Sequence, residues 1–163
     1  MIKLFLRSSS KGFTLIETAA IAIVTGILAA LGTPSLMGMM ARNALKTDMN
    51  RVKSALQEAQ RAAIKQGTQC NVAITAPNSV TSACFTEAVE LDSNTSFVSS
   101  PTGFNQISFS FKGNLTANGT GTGERLLIFS NTRTTAQKCL AIATGIGIFR
   151  GGDYEGGSCQ SGF

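Results

Sequence analysis

The chain has 163 residues, of which 43% are hydrophobic and 14% are charged, and it contains neither histidine nor tryptophan. This length corresponds to one domain, the apolar content excludes a disordered chain, and the lack of histidine excludes catalytic triads and imidazole-based metal sites. The net charge of +5 comes from the N-terminal part, because residues 67–163 carry five basic and six acidic side chains. The C-terminal region therefore lacks the overall charge of a nucleic-acid-binding module.

The first predicted element is an apolar helix near the N-terminus. Residues 18–41 carry no charge, and this length is sufficient for a helix that crosses a bilayer. Lys3, Arg7 and Lys11 precede the segment, which predicts a cytoplasmic N-terminus and an exported remainder. A cleaved secretory signal with small residues near 29–30 and a plain membrane anchor would both show these features.

Two residues fit neither a secretory signal nor a plain anchor. Glu17 places a carboxylate in apolar sequence, where it costs several kcal/mol unless it is paired, and Gly12 separates the basic leader from the apolar run. Residues 11–17 read Lys-Gly-Phe-Thr-Leu-Ile-Glu, which resembles the type IV prepilin (class III) signal. Pro34 adds to this resemblance, which covers residues 1–66 closely.

The resemblance to prepilins implies a role for each part of the motif. A prepilin peptidase would cleave between Gly12 and Phe13, remove the cytoplasmic leader 1–12, and leave Phe13 as an N-methylated amino terminus. Glu17 would pair with this amine in a neighbouring subunit during assembly. The sequence supports such a partner, because residues 18–41 offer the carboxylate no cation.

The same helix is predicted to continue to Gln66, with Gly67 as its C-terminal cap. Apolar residues at 4-3-4-3-4 spacing predict a seam that packs on the protein's own head rather than a free coiled coil. The seam consists of Leu45, Met49, Val52, Leu56, Ala59 and Ala63. The expected layout is a helix over 13–66, transmembrane to about residue 41, and a globular head over 67–163.

After the helix the hydrophobic pattern alternates with a period of two, which predicts five to seven β-strands. The Gly/Thr/Asn-rich segment 114–123 is predicted to be an exposed loop or hairpin tip. Strands are expected at 70–75, 80–85, 107–111, 126–129, 139–143 and 146–149. The predicted fold class is α+β. The resemblance to prepilins implies the type IV pilin fold, in which a long helix with a transmembrane half and an amphipathic half packs on a mainly β head.

Four cysteines in an exported domain of this size indicate disulfides. Three connectivities are possible, and we favour Cys70–Cys84 between adjacent strands and Cys139–Cys159 between a core strand and the C-terminal tail. No pair has the C-x₂-C spacing of a metal site or of a redox-active motif.

The C-terminal tail carries a second resemblance. A strand with Cys139, a glycine-led hairpin, a strand ending at Arg150 and a terminal Cys159 resemble the GspH/FimT group of minor pilins and pseudopilins. DNA-binding members of that group carry a G-R-x-R pattern in the hairpin, whereas residues 147–150 here read Gly-Ile-Phe-Arg.

One phosphate-contacting arginine is therefore missing from the hairpin, and Asp153 and Glu155 nearby oppose an anion. DNA contact through Arg150 is not favoured. Three other basic residues could join Arg150 in space, and the sequence leaves this open: Arg125, Arg133 and Lys138.

The sequence thus predicts a minor type IV pilin, a structural subunit that helps to initiate or cap a pilus used in adhesion, twitching motility or DNA uptake. A GspH-like minor pseudopilin of a type II secretion system and a DNA-binding minor pilin of a competence pilus are the alternatives. The expected partners are other pilins, the prepilin peptidase and the bacterial inner membrane, followed by a pilus or pseudopilus on assembly. No enzymatic activity, cofactor or metal is expected.

Overall fold

The structure, a computed structural model, describes residues 12–84, 88–100, 104–117 and 124–160, without the side chains of 30–35 and 117. The predicted basic leader, the side chain of Pro34 and most of the predicted loop 114–123 lie outside the described residues. The chain divides into two compact units, Met1–Leu36 and Met37–Phe163.

The single long helix, α1, spans Leu15–Gln66, so its end agrees with the sequence prediction and its start lies two residues later than predicted. It ends where Gly67 adopts a left-handed conformation with φ of 65°, as expected for a glycine cap. All six residues of the predicted seam are buried in the second unit. The prediction that the amphipathic half of the helix packs on the head is confirmed.

The part of α1 in the first unit has a different surface. Its described apolar side chains are exposed, as Leu15, Ile16, Ile23 and Leu28 illustrate. Among the described residues, no helix combines the length and the mean hydropathy that a membrane span requires.

The described part of the head contains ten strands arranged in two five-stranded antiparallel sheets. The first sheet has the order β3-β2-β1-β5-β6 and the second the order β10-β9-β8-β7-β4. The strands are β1 (Cys70–Thr75), β2 (Ser79–Ser82), β3 (Val89–Glu90), β4 (Thr95–Ser100), β5 (Gln106–Phe109), β6 (Leu115–Ala117), β7 (Arg125–Asn131), β8 (Thr134–Ala143), β9 (Ile148–Glu155) and β10 (Ser158–Gln160).

The predicted number of five to seven strands was too low. Three of the missed strands, β3, β6 and β10, have only two or three residues, too few for an alternating pattern to stand out. The prediction of a loop from residue 114 is wrong for β6, whose Leu115 is buried in the core. The fourth missed strand, β4, is rich in serine and threonine and has apolar side chains only at Phe97 and Val98.

Several predicted strands have different bounds in the structure. The second strand ends at Ser82 rather than at residue 85, and β5 ends at Phe109, which leaves Phe111 exposed in the following turn. In contrast, β8 begins five residues earlier than predicted and β9 extends to Glu155. Both strands are extended by polar residues that point to solvent. A prediction based on their apolar residues alone therefore made both strands too short.

The core lies between α1 and the two sheets. In β1 the side chains alternate between buried and exposed, and the buried ones face the helix seam together with those of the second sheet. Phe97 and Phe129 contact each other with ring centroids 5.8 Å apart, and Phe109 and Phe149 do so at 6.2 Å. A β-bridge between Leu115 and Gly145 joins the two sheets beside the turns.

Both favoured disulfides are present. Cys70, the first residue of β1, is bonded to Cys84 just beyond β2, with the Cα atoms 6.0 Å apart. Cys139 on β8 is bonded to Cys159 on β10, with the Cα atoms 5.7 Å apart. The second bond ties the short strand β10 to a central strand of its sheet, and none of the four cysteines is available as a metal ligand.

Polar contacts fix the segment between β3 and β4 to the helix. Asp48 on α1 is only 2% exposed, and its Oδ2 accepts a hydrogen bond of 3.3 Å from the backbone N–H of Asp92. Asp92 itself accepts hydrogen bonds from the backbone N–H of Asn94 (2.9 Å) and from its side-chain amide (3.0 Å). These bonds, with smaller contributions from Arg133 and Arg51, hold the pKa of Asp92 below its ordinary value.

The lowered pKa of Asp92 predicts a contribution to acid sensitivity. The stabilisation by the Asp92 carboxylate is fully present above the ordinary pKa of 3.8 and is lost as the pH falls through the lower folded-state pKa. Asp92→Asn should therefore remove part of the decrease in stability below that pH. Urea unfolding of both proteins between neutral pH and about pH 2, followed by circular dichroism, measures this difference. Identical pH profiles would contradict the prediction.

Candidate assembly and interaction sites

The prepilin-like motif lies at the very start of α1. Gly12 and Phe13 precede the helix, and Phe13 is 70% exposed. A Cβ atom added to Gly12 would have no neighbour within 4 Å, so the position at which the resemblance places the cleavage is open to solvent. The sequence therefore presents its predicted cleavage point on an accessible, non-helical segment.

Glu17 lies in the first turn of α1. Its backbone N–H donates to Thr14 Oγ1 at 3.4 Å and to the Thr14 carbonyl at 3.1 Å, so Thr14 acts as the N-cap. The positive end of the helix dipole favours a carboxylate at this position. Within the part of the chain that the structure describes, no hydrogen bond or ion pair engages the Glu17 side chain. Thr14 was not among the predicted functional residues, although a threonine three residues before a glutamate is the capping-box signal.

The hairpin between β8 and β9 contains the glycine of the predicted Gly-Ile-Phe-Arg pattern. Gly147 has φ of 69° and is buried. A Cβ atom at this position would lie 2.6 Å from Gln60 Nε2 and 3.2 Å from the Gly113 carbonyl oxygen. This glycine is therefore required for the close approach of the hairpin to α1, which is a packing role.

Gln60 connects the helix to both of the turns that meet at this end of the head. Its Nε2 donates a hydrogen bond of 2.9 Å to the Gly113 carbonyl in the β5–β6 turn, 53 residues away in sequence. Gly113 also lies against Ile64, because a Cβ there would be 2.9 Å from Ile64 Cδ1. The sequence contains no signal for Gln60, since a polar residue beside an apolar seam is typical of any surface helix.

Arg150 is exposed on β9, where its partner on β8 is Ala141. Lys138 on β8 forms an ion pair with Asp153. Arg133 lies in the turn before β8, about eight residues or roughly 26 Å from the level of Arg150. Arg125 is only 3% exposed. The three additional bases thus do not form an exposed basic patch around Arg150.

The sequence matches no protein-family model and no curated protein. Two solved structures are similar, and both are crystal forms of the type IV minor pilin FimU from Pseudomonas aeruginosa. The first has a TM-score of 0.54 at 15% sequence identity and covers 74% of this chain and 96% of that chain. The second has a TM-score of 0.51 at 14% identity and covers 72% and 98%.

At such low sequence identity, the structural similarity is evidence for a shared fold and not for a shared function. In this chain the fold combines a long helix with antiparallel sheets and contains two disulfides. The chain therefore has the same fold as this type IV minor pilin.

Proposed function

We propose that this chain is a minor type IV pilin, a structural and non-enzymatic subunit that helps to initiate or cap pilus assembly. The observation that carries the proposal is the combination of an exposed prepilin-like motif with the minor-pilin fold in one chain. The motif supplies the chemistry of processing and assembly, and the head supplies a surface that neighbouring subunits contact.

The first step of this function is processing at Gly12. A prepilin peptidase removes residues 1–12 and leaves Phe13 as a methylated amino terminus. The open surroundings of Gly12 and the exposed ring of Phe13 support this step, because a protease needs an accessible, extended segment. The mature chain then begins two residues before α1.

Before assembly, the apolar part of α1 anchors the protein in the inner membrane with the head on the periplasmic side. The uncharged run 18–41 and the exposed apolar side chains of this part of the helix support the anchor, since exposed apolar surface of this extent needs a non-aqueous environment or a partner. The first charge after this run is Arg42, which marks the return to water.

In the filament, Glu17 pairs with the amino terminus of Phe13 in a neighbouring subunit. Support comes from the solvent-exposed position of its carboxylate in the first turn of α1. An apolar assembly interface would otherwise bury an uncompensated charge, which costs several kcal/mol.

Glu17→Gln tests this pairing, because it removes the charge and keeps the size of the side chain. We expect the variant to be processed normally but to enter filaments at least about tenfold less often, which corresponds to the loss of a charge-assisted contact. Glu124→Gln, at an exposed position of the head, is the control and should enter normally. Immunoblotting of sheared filaments measures incorporation. Normal incorporation of the Glu17 variant would contradict the pairing.

Quantitative mass spectrometry of sheared filaments and of the membrane fraction tests the proposed function as a whole. Trace amounts of a chain that starts at methylated Phe13 in the filaments support a minor pilin. Mature protein retained entirely in the membrane would favour a secretion pseudopilin instead. Salt-sensitive binding of the protein to DNA that weakens in Arg150→Ala would favour the competence-pilus alternative.

A further inference from the structure

A cleft in the second unit lies between α1 and the second sheet. One wall comes from the helix and carries Arg42 and Lys46, and the other comes from the start of β8 and the end of β9. The cleft has a volume of about 640 Å³ and is open to solvent. The wall formed by the sheet includes Lys138, Asp153, Tyr154 and Glu155.

The two walls of this cleft carry opposite charges. On the sheet side Lys138 is neutralised by its ion pair with Asp153, which leaves Glu155 as the net charge of that wall. Among the described residues, no ion pair within 4 Å connects Arg42 or Lys46 to either acid across the cleft. The cleft is therefore bipolar, with a cationic side on the helix and an anionic side on the sheet.

The cleft begins where the uncharged part of the chain ends. Arg42 is the first charged residue after the run 18–41, and Lys46 follows one turn later, about 6 Å further along the helix. The polar headgroup layer on each side of a bilayer is about 5–7 Å thick. If the preceding run lies in hydrocarbon, both bases lie at the level of the lipid headgroups.

We propose that this cleft binds the headgroup of a zwitterionic phospholipid of the phosphatidylethanolamine type, with the phosphodiester at Arg42 and Lys46 and the ammonium at Glu155. The proposal rests on the membrane anchor given in the proposed function. The charges of the cleft favour this lipid over two others. Glu155 repels the anionic headgroup of phosphatidylglycerol, and the trimethylammonium group of phosphatidylcholine cannot donate a hydrogen bond to Glu155.

Tyr154 supports a headgroup as the occupant. It lies between the two acids on β9 and lines the cleft, and it is half-buried. Tyrosine is enriched at membrane interfaces because its ring is apolar and its hydroxyl is polar. It is also the single tyrosine of a chain without tryptophan, so in discs bounded by an aliphatic, protein-free polymer its fluorescence reports on this cleft.

The experiment places the full chain in such polymer-bounded phosphatidylcholine nanodiscs that contain increasing mole fractions of phosphatidylethanolamine or of phosphatidylglycerol. We expect Tyr154 fluorescence to change at a roughly fivefold lower mole fraction of phosphatidylethanolamine than of phosphatidylglycerol. A preference for phosphatidylglycerol, or equal responses to both lipids, would overturn the bipolar site. Water-soluble glycerophosphoethanolamine at the same concentration should have no effect, and an equal response to it would overturn a lipid source.

Charge-removing variants test each wall separately. Arg42→Gln combined with Lys46→Gln should abolish the response to both lipids, whereas Glu155→Gln should reverse the preference in favour of phosphatidylglycerol. The matched controls are Arg61→Gln and Glu58→Gln, exposed residues of the same helix outside the cleft, and both should respond as the unmodified chain does. Control variants that respond like the cleft variants would overturn the site.

Failure of the anchor and failure of the headgroup site give different results. A chain that does not elute together with the nanodiscs contradicts the anchor, and the headgroup site with it. A chain that elutes with them but shows no lipid preference contradicts the headgroup site alone and leaves the minor-pilin proposal in place.

Discussion

Gly147→Val is expected to lower the free energy of unfolding by roughly 3 kcal/mol. Two effects add at this position. The backbone φ of 69° is strongly unfavourable for a β-branched residue, and the new Cβ would meet Gln60 Nε2 at 2.6 Å and the Gly113 carbonyl oxygen at 3.2 Å. Since the carbonyl is part of the backbone of the β5–β6 turn, relief requires the β8–β9 hairpin to move away from that turn. Urea unfolding of the full chain in mild detergent measures the change.

Gly145→Val is the matched control for this experiment. Gly145 lies in the same turn with φ of 95°, but a Cβ atom there would have no neighbour within 4 Å. Gly145→Val should therefore introduce backbone strain without a steric collision, and the difference between the two variants measures the close packing of Gly147 against Gln60 and the Gly113 carbonyl. Arg150→Ala should change the stability by less than about 0.5 kcal/mol. Equal losses for the two valine variants would contradict the packing role of Gly147.

Leu56→Ala is expected to lower the free energy of unfolding by about 3 kcal/mol, because it leaves a cavity in the middle of the helix seam. Leu56 is fully buried and belongs to the core cluster that joins α1 to both sheets. The lost side chain cannot be replaced by water, since its neighbours in the core are apolar. The same unfolding measurement applies.

Ile64→Ala on the same helix serves as the comparison for Leu56→Ala. Ile64 is more than half exposed, so removal of its side chain should cost less than about 1 kcal/mol. A loss at Leu56 no larger than at Ile64 would show that the amphipathic half of the helix does not depend on the head for its stability.

The sequence predicted the helix and its seam because both depend on local patterns. The spacing of Leu45, Met49 and Val52 follows from the period of a helix, and Gly67 provides the backbone conformation that ends it. The correct connectivity of the four cysteines could be favoured for a related reason, since Cys70 and Cys84 border a predicted hairpin. These features need no knowledge of distant parts of the chain.

The remaining features depend on contacts between distant residues. Strand β4 has few apolar side chains, and its position is fixed by pairing with β7 and by the hydrogen bond of 3.1 Å from Asn131 Nδ2 to Thr95 Oγ1. The packing role of Gln60 depends on its contacts with two turns that are remote from it in sequence. The cleft between Arg42 and Glu155 requires the register of β8 and β9 against the helix, which composition and periodicity do not specify.

Under the proposed function, in which the N-terminal helix holds the subunit in a filament, the direction of the helix seam has a mechanical consequence. The seam residues lie in a row along the axis of α1, from Leu45 to Ala63. A pull along this axis loads the whole row in shear, so the contacts must yield together rather than open one after another. Gln60 lies near the C-terminal end of this row. Its hydrogen bond to the Gly113 carbonyl resists sliding of the helix past the β5–β6 turn.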